Sequence, residues 1–290
     1  MISLKICVVG YVTRETEIWS GGERRSIVGG AAYFVSYALA NLGVKPRLVT
    51  RVGSEVLDVL DELKSMGIEV VNLGGNTMMC NLIYKTLSER EIEVISAPQP
   101  FKPSDIEYCG YSDIIYLGPQ TATDMGMEVI LWASRLSNVV ILDVQGFTRR
   151  LIGKRIEYVD WEWKYRAAPY IHGLKVDHRE GKMLTGSLEP LSILRKLSEI
   201  GFKEMVLTTD SGVYLCMDGL ELYAPYRIER VVGRTGRGDT AVAAYIYSKI
   251  AELTPYEAVK FIAAATSIKL SMHGPLQASA EDVWRLAKAL

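Results

Sequence analysis

The sequence is short of the features that mark several common classes of protein. Its four cysteines, Cys7, Cys80, Cys109 and Cys216, lie far apart with no paired spacing, so neither a zinc cluster nor a disulfide framework is expected. No block of like charges occurs: 33 basic residues stand against 34 acidic ones in 290, a net charge of −1. That balance argues against a polyanion-binding surface or a charged tail, so no nucleic-acid partner is expected. The apolar start, Met1-Ile2-Ser3-Leu4-Lys5-Ile6-Cys7-Val8-Val9-Gly10, is too short for a membrane span and lacks a signal-peptide cleavage pattern. It reads as a buried first strand, and a cytoplasmic protein with no membrane partner is the default expectation. No G-x-G-x-x-G motif follows an early strand and no Walker A loop is present, which disfavours a Rossmann dehydrogenase and a P-loop kinase. Glutamine is confined to positions 99, 120, 145 and 277 while Glu, Arg and Tyr are plentiful, a bias in the direction of proteins from hot environments. Internal repeats, low-complexity segments and long linkers are all missing.

What is present is an alternation of strand and helix patterns. Strands are expected at 47–52, 114–117, 139–143, 174–176 and 205–208, with helices at 31–42, 54–67, from about Met125 and after Pro190. Strands alternating with helices imply right-handed crossovers, hence an α/β fold with a mainly parallel sheet covered by helices on both faces. A length of 290 residues suits one large domain, 1–290. Two β-prone pairs fall outside this rhythm, one around Gly21-Gly22 and one around Ser88-Glu89-Arg90. Together they predict a small sheet from about 11–28 and 76–97. Between 157 and 165, Val159, Trp161, Trp163 and Tyr165 alternate with Tyr158, Asp160, Glu162 and Lys164; period two predicts one packed aromatic face and one wet face. Thr254-Pro255-Tyr256-Glu257 supplies a cap, a first-turn proline and a capping-box glutamate, and Ser279 caps a terminal helix.

The chemistry concentrates in Val231-Val232-Gly233-Arg234-Thr235-Gly236-Arg237-Gly238-Asp239-Thr240, which runs straight into an apolar helix pattern. Glycines let the backbone approach a ligand, and a helix start offers free N–H groups and the positive end of its dipole, a layout suited to phosphate. An aspartate there repels phosphate, which makes sense if Asp239 takes a proton from an attacking hydroxyl; the bland alternative is an ordinary helix cap. An adhesion role for the tripeptide Arg237-Gly238-Asp239 is disfavoured because it recurs by chance. Upstream, Gly29-Gly30 opens the 31–42 helix, and Glu15 falls just past the first strand, where open α/β sheets place ligand groups.

In order and spacing these pieces resemble the PfkB, or ribokinase-like, family of carbohydrate and nucleoside kinases over essentially the whole chain. Gly29-Gly30 through Leu42-Gly43 looks like its first signature and Arg234 to Asp239 like its second. The resemblance implies that Asp239 is the catalytic base and that Gly236, Arg237 and Gly238 form the anion hole. Asp177-His178-Arg179-Glu180 matches the stretch that organises magnesium through water, with Asp177 in place of asparagine and Glu180 kept. The donor would be ATP or ADP, held by the turn Thr208-Thr209-Asp210-Ser211-Gly212, with Ala263 and Gly274 lining an adenine pocket. On the acceptor side Glu15, Gly29 and Gly30 match positions that hold sugar hydroxyls, and Arg149 is a phosphate or hydroxyl contact whose plain alternative is a surface salt bridge. The two β-prone pairs match the family's lid, through which a homodimer can form. Leu142 to Arg149, Tyr158-Val159-Asp160 and Leu174-Lys175-Val176 are similar to the branch containing inositol kinases. Three departures stand out. Phe34 replaces a frequent asparagine, and Arg237 replaces an alanine, either adding charge to the phosphate site or, the preferred reading, turning to pair with an acid. Gly233-Arg234 replaces a pair whose aspartate belongs to a monovalent-cation site, which predicts weak or absent potassium activation. The expectation is thus a kinase for a small sugar, polyol or nucleoside; a regulator that kept the fold without turnover is the alternative.

Overall fold

The structure, a computed structural model, describes residues 4–86 and 90–290. The expected turn at Ser88-Glu89 lies outside the described residues. The chain opens with β1 (Ile6–Gly10), β2 (Thr13–Trp19), β3 (Arg24–Gly29), α1 (Ala31–Asn41) and β4 (Arg47–Thr50). It continues with α2 (Leu57–Ser65), β5 (Glu69–Asn72), β6 (Met78–Tyr84), β7 (Arg90–Ser96), α3 (Pro103–Ile106) and β8 (Ser112–Gly118). The middle holds α4 (Met127–Leu136), β9 (Ser137–Asp143), β10 (Arg149–Ile152), β11 (Arg155–Tyr158), α5 (Lys164–Ala167), β12 (Gly173–Asp177) and α6 (His178–Thr185). The last third is α7 (Pro190–Ile200), β13 (Glu204–Thr208), β14 (Gly212–Met217), β15 (Leu220–Pro225), α8 (Arg237–Ile250), α9 (Pro255–Leu270) and α10 (Ala280–Ala287).

Among the described residues nine strands form one sheet in the order β15-β14-β13-β12-β9-β8-β1-β4-β5, parallel from β5 to β13 and antiparallel at the β14 and β15 edge. Its interior is double-sided, as β1 shows residue by residue. Ile6 and Val8 join the layer of α1, α2, α8, α9 and α10, whereas Cys7 and Val9 join the layer of α4 and α7. Successive side chains of a strand point to opposite faces, so a strand apolar at every position is a strand covered on both. The fold is therefore the α/β, mainly parallel architecture that the alternation predicts.

The second sheet has six strands among the described residues, in the order β10-β11-β7-β6-β2-β3. It contains the two predicted pairs together with β10 and β11, a hairpin absent from the sequence reading. The expected strand face at 157–165 is a correction. β11 ends at Tyr158 and the chain turns into α5, so the period of two breaks. Trp161 and Trp163 do pack, with Trp161 stacked on Phe147 at 4.7 Å, but Tyr165 is 64% exposed and Lys164 is buried against Asp160. The cysteine expectation is also corrected. Cys7 and Cys109 are joined by a disulfide across a sequence separation of 102, because Cys109 sits in the turn entering β8, the neighbour of β1. Cys80 and Cys216 are free and buried.

Candidate active site

A cavity of about 320 Å³ lies between the carboxyl ends of the large sheet and the inner face of the small one. Asp177, Thr208 and the loop Gly236–Asp239 line one side; Glu15, Arg90 and Arg149 line the other. The sequence-derived residues Glu15, Gly30, Arg149, Asp177, Thr208, Asp210, Gly236, Arg237, Gly238 and Asp239 all meet here. Gly29, Glu180, Gly212, Ala263 and Gly274 do not border it.

The loop takes its shape from its glycines. Gly236 caps α8 with φ +86°, a left-handed conformation that side-chain-bearing residues rarely adopt, and a β-carbon there would stand 2.5 Å from the Phe34 ring. At Gly238 a β-carbon would stand 2.6 Å from Lys175 Cε, so the loop rests directly on that lysine. Asp239 lies in the first turn of α8 and makes no capping hydrogen bond, which removes the helix-cap reading. Burial first, then the charge of Asp143, push its carboxyl up to about 6, with Lys175 and Arg149 opposing. A carboxylate titrating close to neutrality, at a helix start in a cavity, suits proton abstraction.

Lys175 was not singled out in the sequence, although a lone lysine inside the apolar strand Leu174-Lys175-Val176 was a usable signal. Only 3% exposed, it lies 3.2 Å from Asp143 and 3.6 Å from Glu180. Burial works against its charge, but Asp143, Glu180, Asp177 and Asp239 outweigh it and hold the ammonium protonated well above lysine's ordinary range. Asp177 and Glu180 cap α6 reciprocally: Glu180 N donates to Asp177 Oδ1 at 2.8 Å and Asp177 N donates to Glu180 Oε2 at 2.7 Å. Burial, then Asp177, raise Glu180 to about 7. Among the described residues no group of three or more His, Cys, Asp or Glu could ligate a metal directly. The donor set nevertheless suits a hydrated magnesium ion, which needs only one or two carboxylates. Asp177 faces the cavity, and Asp143 keeps a buried oxygen, Oδ2, with no partner among the described residues.

Across the cavity Glu15 accepts from Thr13 Oγ1 at 2.9 Å. Burial raises its pKa against the opposing pull of Arg90 and the Thr13 hydrogen bond. Gly29 acts at one remove, since a β-carbon on it would stand 2.3 Å from the Glu15 carboxyl. Arg149 makes no ion pair among the described residues, and its Nε is buried without a partner; it faces the cavity instead of forming a surface salt bridge. Arg90, missed in the sequence, donates to Tyr84 Oη at 3.1 Å and to Thr235 Oγ1 at 3.3 Å, linking the small sheet to the loop.

The expected donor turn is partly present. Thr209 Oγ1 accepts from the backbone N–H groups of Ser211 and Gly212, while Asp210 pairs with Arg237 at 2.8 Å and Arg234 at 3.3 Å. Arg237 thus pairs with an acid and lines the cavity at once. Gly212 has a packing role, because a β-carbon would meet Ala224 O at 2.4 Å. Ala263 is fully buried inside α9 and Gly274 lies in an exposed turn, both outside the cavity.

A family model described as pfkB family carbohydrate kinase matches residues 2–282. This chain belongs to that family. It is therefore a phosphotransferase with an alcohol group as acceptor, a kinase of the sugar and nucleoside type. A cytidine kinase of Thermococcus kodakarensis is 27% identical over 264 residues, covering 84% of this chain and 87% of that one. A pyrophosphate-dependent kinase in the ribokinase family, solved with a pyrophosphate analogue and myo-inositol, superposes with a TM-score of 0.88 at 30% identity, covering 97% and 99%. Ribokinase from Arabidopsis thaliana, complexed with ribose and ATP, shares the fold with a TM-score of 0.78 at 19% identity, covering 99% of both chains. No described helix is long and apolar enough to cross a membrane.

Proposed function

We propose that this family member transfers a phosphoryl group to a hydroxyl of a small polyol such as myo-inositol, with Asp239 as the base. The observation that carries the reading is the meeting of Asp239 and the Gly236–Gly238 loop with Glu15 and Arg149 in one cavity. The acceptor hydroxyl gives its proton to the Asp239 carboxylate as its oxygen bonds to phosphorus, and the bond from phosphorus to the donor's bridging oxygen breaks. Backbone N–H groups of the loop, backed by Lys175, face the oxygens of the group in flight. Glu15 and Arg149 orient the acceptor, and the small sheet acts as the lid that keeps water from competing as acceptor. Magnesium, when bound through water near Asp177, would neutralise donor phosphate charge.

For the donor, the expected nucleotide has a rival in inorganic pyrophosphate. Arg179, Arg234, Arg237 and Lys175 all line the cavity, whereas Ala263 is sealed in the core and Gly274 lies away, so the described lining supplies cations for phosphate but neither residue expected beside an adenine. One screen tests both readings: myo-inositol, pentoses, hexoses and nucleosides as acceptors against ATP, ADP and pyrophosphate, with and without magnesium. Transfer to a polyol that depends on Asp239 supports the assignment. Donor binding without transfer to any acceptor would replace it with the non-catalytic regulator.

A further inference from the structure

Lys269 sits in α9 with no exposed surface, among Ala263, Ala264, Ala265, Thr266 and Ser267. It makes no ion pair with a carboxylate among the described residues. Its Nζ instead donates to two backbone carbonyls, Gly233 O at 3.1 Å and Met272 O at 3.3 Å. On either side of this contact the backbone of 232–233 is fastened to the end of α9: Val232 N donates to Leu270 O at 2.7 Å and Gly233 N to the same oxygen at 3.3 Å. The fit at Gly233 is close, since a β-carbon there would stand 2.8 Å from Met272 O and 3.5 Å from Lys269 Nζ. Three residues later comes Gly236, the start of the phosphoryl loop.

A buried ammonium without a counter-charge is costly, and a methionine of similar length would fill the same space without that cost. Burial accordingly lowers the lysine's pKa to about 8, with the charge of Asp239 acting to keep it protonated. Packing alone does not account for a cation at this position. One acceptor, Gly233 O, lies on the strut that leads into the loop, the other, Met272 O, just past the end of α9, and the charge of the base at the end of that loop acts on the ammonium.

We propose that Lys269 is a positioning residue for phosphoryl transfer, an internal tethered cation that braces the Gly233 carbonyl and thereby fixes the loop that presents Gly236, Gly238 and Asp239 to the reacting group. The proposal rests on the reading of that loop as the phosphoryl site. It touches no substrate and acts through the loop, so its removal is expected to appear in turnover and not in acceptor recognition, which belongs to the opposite wall.

The test uses Lys269→Met and Lys269→Ala in the full chain, with folding followed by circular dichroism. Lys269→Met is expected to fold and to lose about 10- to 100-fold in kcat, the scale set by displacing reacting groups by about an ångström, with acceptor KM changed less than about threefold. Lys269→Ala leaves a cavity beside two carbonyls, so ammonium or ethylammonium ions should restore its kcat several-fold while leaving the parent protein unaffected. A folded Lys269→Met with parental kcat, or a Lys269→Ala whose loss no amine relieves, overturns the proposal. Should the parent transfer phosphate to nothing, the kinase reading fails separately. Hydrogen exchange of the amides at 233–239 then decides the brace, with faster exchange in Lys269→Met supporting it and unchanged exchange overturning it.

Discussion

Replacing Asp239 by asparagine should separate two quantities that usually fall together. In the folded protein the carboxyl is displaced from its ordinary 3.8 to about 6, with burial as the leading cause. The folded chain therefore holds a proton that the unfolded chain releases between those values. Stability falls as pH rises through that window and the full penalty is present above about pH 6. At ~1.36 kcal/mol per pH unit the displacement corresponds to about 3 kcal/mol. Because Asp239 opens onto the cavity, solvent screening reduces this to about 1–2 kcal/mol. Asparagine has nearly the same shape and no charge to bury, so Asp239→Asn should be more stable than the parent by about that amount near pH 8, with the gain vanishing towards pH 4. Urea unfolding at a series of pH values reads this directly. The same variant should lose about 10² to 10⁴ in kcat with donor affinity retained, and the parent's kcat/KM should climb as pH rises through about 6. Near-parental turnover in Asp239→Asn, or lower stability than the parent at pH 8, would refute the placement of a buried base in this loop.

Other predictions follow from individual contacts. Lys175→Met strips from Asp143 and Glu180 the only cation that pairs with them among the described residues and should destabilise the fold by about 3 kcal/mol or more near neutral pH, less in acid where Glu180 is protonated; thermal unfolding at two pH values checks it. Gly29→Ala pushes a β-carbon into the Glu15 carboxyl and should raise acceptor KM with little effect on donor binding, as measured by steady-state kinetics. Reducing the disulfide between Cys7 and Cys109 should cost about 2–4 kcal/mol, seen as a lower unfolding midpoint in dithiothreitol that Cys7→Ser reproduces. Potassium should change the rate less than several-fold, because the Gly233 carbonyl is already taken by Lys269; a larger increase in a potassium titration counts against this.

The fold was legible because the patterns that define it are local. A strand such as β1, apolar at every position, can only be covered on both faces, and Gly43 and Gly67 stand just past the ends of α1 and α2, the helices expected at 31–42 and 54–67. The hairpin β10–β11 was not legible: Arg149–Ile152 and Arg155–Tyr158 are short and charged, and they become strands only because the edge of β7 is there to receive them. At the site, the glycine loop and Asp239 announce themselves through spacing. Lys175, Arg90 and Lys269 do not, because their roles depend on Asp143, Thr235 and Gly233, partners 32 to 145 positions away in sequence, and a lone basic residue in an apolar run reads equally as a blemish or a device. The same holds for Cys7 and Cys109, which share no spacing and meet only through the adjacency of β1 and β8.

The division of the cavity between two sheets has a consequence for selectivity. Glu15, Arg90 and Arg149 stand on β2, β7 and β10 of the small sheet, while Asp239 and its loop stand at the end of the large one. On the proposed function an acceptor would be gripped by one sheet and activated at the end of the other, so the packing of the two sheets sets the gap between grip and base. A compound that satisfies the grip but carries its hydroxyl one carbon out of place would still occupy the small sheet. It would leave its oxygen outside the reach of the base, and discrimination among similar polyols should therefore be written in kcat more than in apparent affinity.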